Sequence, residues 1–216
     1  MTRDEAVDEI QLQLAFRTTL EDEIIRQLKM AQTALEAGPT KPWFLISEDS
    51  YVRTTLNEQR LALPTDFLQE TDEAVLRYVP DTLTDGEVDL VKDDYDQLRA
   101  DYLDSSTGTI ETGKPEAYAL FGEYFRLFPT PDDDYLIHMI YYKKDTVLST
   151  NVENGWLKWA PYLLMGKAGK QIATALRDKD AVAVFSQWEN EGRLLLVSQT
   201  YERQYANRSM QIGGPH

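Results

Sequence analysis

Apolar residues recur along this chain with two periods, a helical one toward both ends and an alternating one in the middle. Leu20, Ile24, Leu28, Ala31 and Leu35 step by three and four, which predicts one apolar stripe on an amphipathic helix. Residues 3–37 read as one broken helix or two, stopped by Gly38 and Pro39. Strand-like pieces follow at residues 43–46 and 51–56, joined by the polar Ser47, Glu48, Asp49 and Ser50. The chain then turns at Pro64, and residues 75–79 suggest another strand. Between 84 and 102, Val88, Val91, Tyr95, Leu98 and Tyr102 return to helical spacing. Thr84 and Glu87 there stand at capping-box distance.

Residues 115–142 alternate instead. Tyr118 and Leu120 share one face, as do Tyr124, Arg126 and Phe128. Tyr135, Ile137, Met139 and Tyr141 face one way, and Leu136, His138, Ile140 and Tyr142 the other. Gly122 and the Pro129-to-Asp134 breaker leave no room for a helix between these runs, so a β meander is predicted. Residues 105–113 read as an exposed loop. Asn154 and Gly155 mark a turn, and Pro161 stands at a first helical position. Leu164, Ala168, Ile172 and Leu176 make the next stripe, with Gly166 and Gly169 permitting close backbone approach. The last helix is predicted over residues 181–205, marked by Val182, Phe185, Trp188, Leu195, Tyr201 and Tyr205. An aperiodic tail follows. The fold class is α+β.

Composition narrows the function classes. A chain of 216 residues can bury one good core or two small ones. The N-terminal segment lacks the apolar core of a signal peptide. No apolar run approaches the roughly 18 residues of a membrane span, so cytoplasmic synthesis without membrane association is expected. The absence of cysteine removes disulfides, thiolate chemistry and cysteine-ligated zinc. A net charge of −15 argues against gripping DNA by phosphate neutralisation, yet suits a protein that surrounds DNA without holding it.

Candidate chemistry is sparse. Asp81 to Gly86 resembles the opening of a calcium loop. Leu83 stands at its third position, however, and Lys92 at its twelfth, where a carboxylate is required. Asp132, Asp133 and Asp134 read as hairpin-turn residues. Gly166 to Lys170 fails as a phosphate loop, because Leu164 replaces the first glycine and Gln171 the hydroxyl residue. His138 and His216 are the only histidines, and His138 reads as a satisfied sheet residue. No catalytic residue, metal site or cofactor is expected. A hydrolase built on two carboxylates stands as the alternative function. Tyr201 and Tyr205, beside a tail carrying Met210 and Ile212, point to inter-chain contact.

The order of the pieces resembles the head-to-tail adaptor, or connector, proteins of tailed bacteriophages. The matching segments begin with Trp43-Phe44-Leu45, then Leu63-Pro64-Thr65-Asp66-Phe67 and Pro115-Glu116-Ala117-Tyr118. Arg126-Leu127-Phe128-Pro129-Thr130-Pro131 and Tyr141-Tyr142 follow. Trp156-Leu157-Lys158-Trp159-Ala160-Pro161 and the Gly213-Gly214 tail complete the series, from about Leu20 to the end. The resemblance implies a helical bundle made from both chain termini with a small antiparallel β region inserted. Its segments are residues 1–38 and 156–206 for the bundle, 39–155 for the insert with its acidic helix at 84–102, and 207–216 for a C-terminal arm. It further implies a virion protein, assembled in the host cytoplasm, that forms a twelve-fold ring with itself, docks on the portal protein and meets tail or nozzle proteins. DNA passes through the lumen during ejection. The expected portal-binding residues are Tyr201, Tyr205, Arg208, Met210, Gln211, Ile212, Gly213 and Gly214.

Overall fold

A computed structural model describes the chain apart from residues 16, 72–74, 81–85, 151 and 210–216 and the side chains of residues 18 and 204–209. Its helices are α1 (Arg3–Gln13), α2 (Glu21–Glu36), α3 (Tyr95–Asp101), α4 (Gly155–Trp159), α5 (Pro161–Ala175) and α6 (Lys179–Ser209). Its strands begin with β1 (Ile46–Arg53), β2 (Arg60–Ala62), β3 (Phe67–Glu70), β4 (Leu76–Val79), β5 (Val88–Asp89) and β6 (Val91–Lys92). They continue with β7 (Leu103–Asp104), β8 (Thr109–Ile110), β9 (Thr112–Gly113), β10 (Ala117–Phe121), β11 (Tyr124–Phe128), β12 (Thr130–Pro131) and β13 (Leu136–Lys143). The chain divides into two compact units, Met1–Leu45 with Lys144–His216, and Ile46–Lys143.

In the first unit, α2 and α6 both pack on α5, and α1 touches α2 and α5. A capping box opens α1: Thr2 Oγ1 accepts from the Glu5 amide, and Glu5 Oε2 accepts from the Thr2 amide. Ile24, Leu28 and Ala31 of the predicted stripe are buried, with Leu20 and Leu35 at its margin. Gly166 and Gly192 let α5 and α6 approach backbone to backbone, and Gly169 makes room for the Phe185 ring. A Cβ on Gly166 would lie 2.5 Å from the Glu189 nitrogen, one on Gly192 2.5 Å from the Leu163 nitrogen, and one on Gly169 2.4 Å from the Phe185 ring.

A buried polar knot ties the chain before residue 46 to the chain after residue 143. Glu36, at the end of α2, accepts through Oε1 from Gln32 Nε2 (2.9 Å), the Asp145 amide (3.1 Å) and Trp156 Nε1 (3.4 Å). Asn154 caps α4 by accepting from the Leu157 amide, and its Nδ2 donates to the Thr146 carbonyl. Lys41, also buried, donates to the carbonyls of Glu36 and Gly38. Burial pushes the Lys41 ammonium down, and the charge of Glu36 opposes that shift. Trp43 and Trp159, and Phe44 and Trp156, pack edge to face around the knot.

The second unit holds two main sheets. In the five-stranded one, β13 lies between β1 on one side and β4 and β3 on the other, with β5 beyond β4. The four-stranded sheet runs β2-β11-β10-β6. Tyr118, Phe125 and Leu127 face a core shared with Ile137, Met139 and Tyr141. The opposite face, with Ala117, Ala119 and Phe128, is covered by α3 through Leu98, Tyr95 and Tyr102.

Several expectations are corrected here. The helix predicted over 84–102 is confined to Tyr95–Asp101. Val88 and Val91 lie in short edge strands, and Asp94 caps the helix by accepting from the amides of Asp96 and Gln97. Thr84 of the predicted capping pair lies outside the described residues. The meander is a hairpin plus a separate strand: β10 and β11 pair through a two-residue turn at Gly122 (φ +68°), while β13 belongs to the other sheet. The sheets are not wholly antiparallel, since β6 pairs with β10 and β9 with β12 in parallel. The two strand pieces at 43–56 are one bulged strand preceded by a 3-10 turn at Trp43–Leu45. The loop at 105–113 contains the β7–β8 turn and β9, and Asp104 holds that turn by accepting from Ser106 and Thr107. The last helix runs on to Ser209, past the predicted start of the tail.

Gly192→Ala drives a methyl into the Leu163 backbone and is expected to lower unfolding stability by about 2 kcal/mol in urea titration. Glu36→Ala leaves three donors without their acceptor and should cost about 3 kcal/mol. Glu36→Gln keeps Oε1 and should lose less than half of that. Equal losses for the two variants would show that the acceptor is not what matters.

Candidate interaction surface

The predicted site residues fall into two groups. Tyr201 lies on α6 with its side chain exposed, and the backbones of Tyr205 and Arg208 continue the same helix. Met210, Gln211, Ile212, Gly213 and Gly214 lie outside the described residues. The arm expected from residue 207 therefore starts inside a helix. At 1.5 Å per residue, the 31 residues of α6 span about 46 Å, twice the length of α5.

The two faces of α6 differ. Ala181, Phe185, Gly192, Leu196 and Thr200 are buried toward the unit's interior. In its second half Leu194, Val197 and Tyr201 recur at three and four on an exposed face, with Leu194 71 % exposed and Leu195 beside it. Near the helix end the Arg203 guanidinium lies 3.5 Å from the centre of the Trp43 ring and 5.8 Å from that of Trp159. Such a contact contributes about 0.5–1 kcal/mol at an exposed position. It pins the last described turns of α6 to the aromatic residues that the family resemblance had singled out. The packing of Trp43 on Trp159 was not legible in the sequence, which separates them by more than a hundred residues.

The remaining candidates have structural roles. Asp132 Oδ1 accepts from the Tyr135 hydroxyl at 2.6 Å, Asp133 accepts from the Asp134 amide, and Asp134 lies 3.6 Å from Arg53. That cluster shapes the turn before β13. Gly166 to Lys170 sits within α5, its glycines used for helix packing and Lys170 paired with Glu189 at 3.1 Å. His138 is buried in β13, with Nδ1 2.8 Å from Glu87 Oε2, Nε2 2.5 Å from the Glu48 carbonyl, and its ring stacked on Tyr51. Among the described residues no group of three or more His, Asp or Glu could hold a metal ion. No described helix is long and apolar enough to cross a membrane.

The family model described as SU10 adaptor protein matches residues 1–212, and the chain belongs to that family. The match bears out the resemblance to phage head-to-tail adaptors and extends it to the N-terminal helix, which the sequence motifs had left out. The protein is accordingly a phage structural adaptor and a virion component. The match gives no support to the hydrolase alternative. No curated protein matches the chain.

The bond from Tyr135 to Asp132, more than partial burial, pushes the Tyr135 phenol up to about 12. An unfolded tyrosine titrates near 10, so the folded chain holds this proton more tightly. The stabilisation is complete below about pH 10 and is lost as pH rises toward 12. Tyr135→Phe should therefore lose less stability than the parent between about pH 10 and pH 12, measured by urea unfolding at each pH. Identical slopes would show that the phenol does not contribute.

Proposed function

We propose that this adaptor docks on the portal, joins it to the tail, and forms a ring of about twelve copies around a DNA channel, a stoichiometry taken from the family resemblance. The helices of both chain ends form the ring's body as a bundle, and the β region between them is an insert. The segment from Tyr205 to Gly214 is the arm that reaches the portal. The observation that carries this reading is the family match across residues 1–212. The length of α6 and the exposed stripe of Leu194, Val197 and Tyr201 leading into the arm support it. The charge of −15 supports the channel role, because like charge lets phosphates slide past without being held. No bond is made or broken in this function; the work is adhesion and shape. Portal, tail proteins and copies of itself are the partners, and DNA is cargo in transit.

Truncation after Asn207 tests the arm. The shortened protein should fold with unchanged circular dichroism yet fail to attach to portal-containing heads in a sedimentation assay. Infectious particles assembled from the truncated chain would remove the arm from the mechanism.

A further inference from the structure

The four-stranded sheet of the second unit carries opposite charge at its two open edges. On the face covered by α3, Arg126 of β11 lies opposite Ala119 on one side and directly opposite Arg60 of β2 on the other. Like charges placed directly opposite across a strand pair repel. No carboxylate among the described residues forms an ion pair with either arginine. Arg60 leans over the Tyr124 ring at 5.6 Å, and Arg126 Nε is buried with no hydrogen-bond partner among the described residues. Glu58 Oε1 accepts from the Arg60 amide, but neither guanidinium is paired with a carboxylate among the described residues. In a chain with 37 acidic residues against 22 basic ones, this leaves room for one from outside.

The far edge supplies that chemistry. β6 leads directly into Asp93, Asp94 and Asp96. Asp94 is committed to capping α3. Asp93 and Asp96 are exposed, and neither forms an ion pair among the described residues. Val91 beside them is 63 % exposed. Among the described residues, β2 pairs only with β11, and β6 only with β10. Because β11 is antiparallel to both β2 and β10, and β10 is parallel to β6, the two edge strands run in the same direction. A second copy placed alongside without reversal therefore brings its β6 edge to the first copy's β2 edge. A two-fold contact would instead set Arg60 against Arg60, or acid against acid.

We propose that the β2 edge, through Arg60 and Arg126, receives the Asp93 and Asp96 carboxylates of a second copy of this chain. The contact is heterologous and repeats from copy to copy, so it closes a ring when the rotation between copies allows. The inference deepens the ring reading above and rests on it. Duplex DNA is the weaker occupant, since two arginines amid this excess of negative charge are too few for phosphate binding.

The absence of cysteine gives a clean test. Ala62 of β2 is exposed on the same face as Arg60, and Val91 marks the opposite edge. The full chain carrying both Ala62→Cys and Val91→Cys, treated with a flexible thiol cross-linker of roughly 15 Å reach to span four strand positions, should give a ladder of covalent multimers. Each single variant should stay monomeric under the same treatment. Arg60→Glu should weaken self-association by about tenfold, and adding Asp93→Lys and Asp96→Lys should restore it. A covalent dimer from a single variant means a two-fold contact and overturns the proposal. Self-association without a ladder overturns this interface but leaves the ring standing. A single copy per particle overturns the ring reading and this contact together. Loss of duplex binding in Arg60→Glu, with self-association intact, assigns the arginines to DNA and also overturns it.

Discussion

The carboxylate of Glu36 is the constraint on which the helical unit depends. A buried carboxylate is costly unless its oxygens are occupied, and this one accepts from side chains or backbone at residues 32, 145 and 156. Those donors come from both sides of the inserted β region, so the charge is satisfied only when the two ends of the chain are brought together. Lys41 adds a buried cation that closes the end of α2 by donating to its last carbonyls. The aromatic residues Trp43, Phe44, Trp156 and Trp159 then exclude water around the polar centre. Polar satisfaction fixes the geometry, and aromatic burial makes the arrangement worth holding.

From that knot α5 and α6 extend, held at close range by glycines that admit a neighbouring backbone. The close approach anchors the first half of α6 against α5, and α6 then runs far beyond the start of α5 at Pro161. Its second half can then carry apolar side chains that the unit itself does not bury. Arg203, stacked on Trp43, returns the end of the helix to the knot. The same aromatic cluster thus serves the fold and holds the last described turns of α6.

The β unit works on a different principle. Its hairpin presents one face to a core with β13 and the other to α3, so both faces of a short sheet are covered. Among the described residues its two edge strands pair on one side only, with Arg60 on one and Asp93 and Asp96 following the other. In the contact proposed above, oppositely charged edges would provide orientation, because a reversed partner is repelled.

Periodicity alone determined the class of this protein and its main helices. The stripe from Leu20 to Leu35, the stop at Gly38 and Pro39, and Pro161 opening a helix all stand, because these signals act within a few residues of one another. The alternation from Tyr135 to Tyr141 likewise marked the core face of β13, since a strand's two faces are set by its own sequence. Tertiary structure decided where local signals were ambiguous. Val88 and Val91 fit a helix by spacing, yet β4 and β10 offered them ladder partners, and Asp94 capped what remained. β13 left its neighbouring hairpin for another sheet because pairing is chosen by burial and register between distant segments. Nothing in the periodicity of α2 singles out Glu36. Only the convergence of donors more than a hundred residues away made it the centre of the unit, and no period in a sequence encodes a contact of that range.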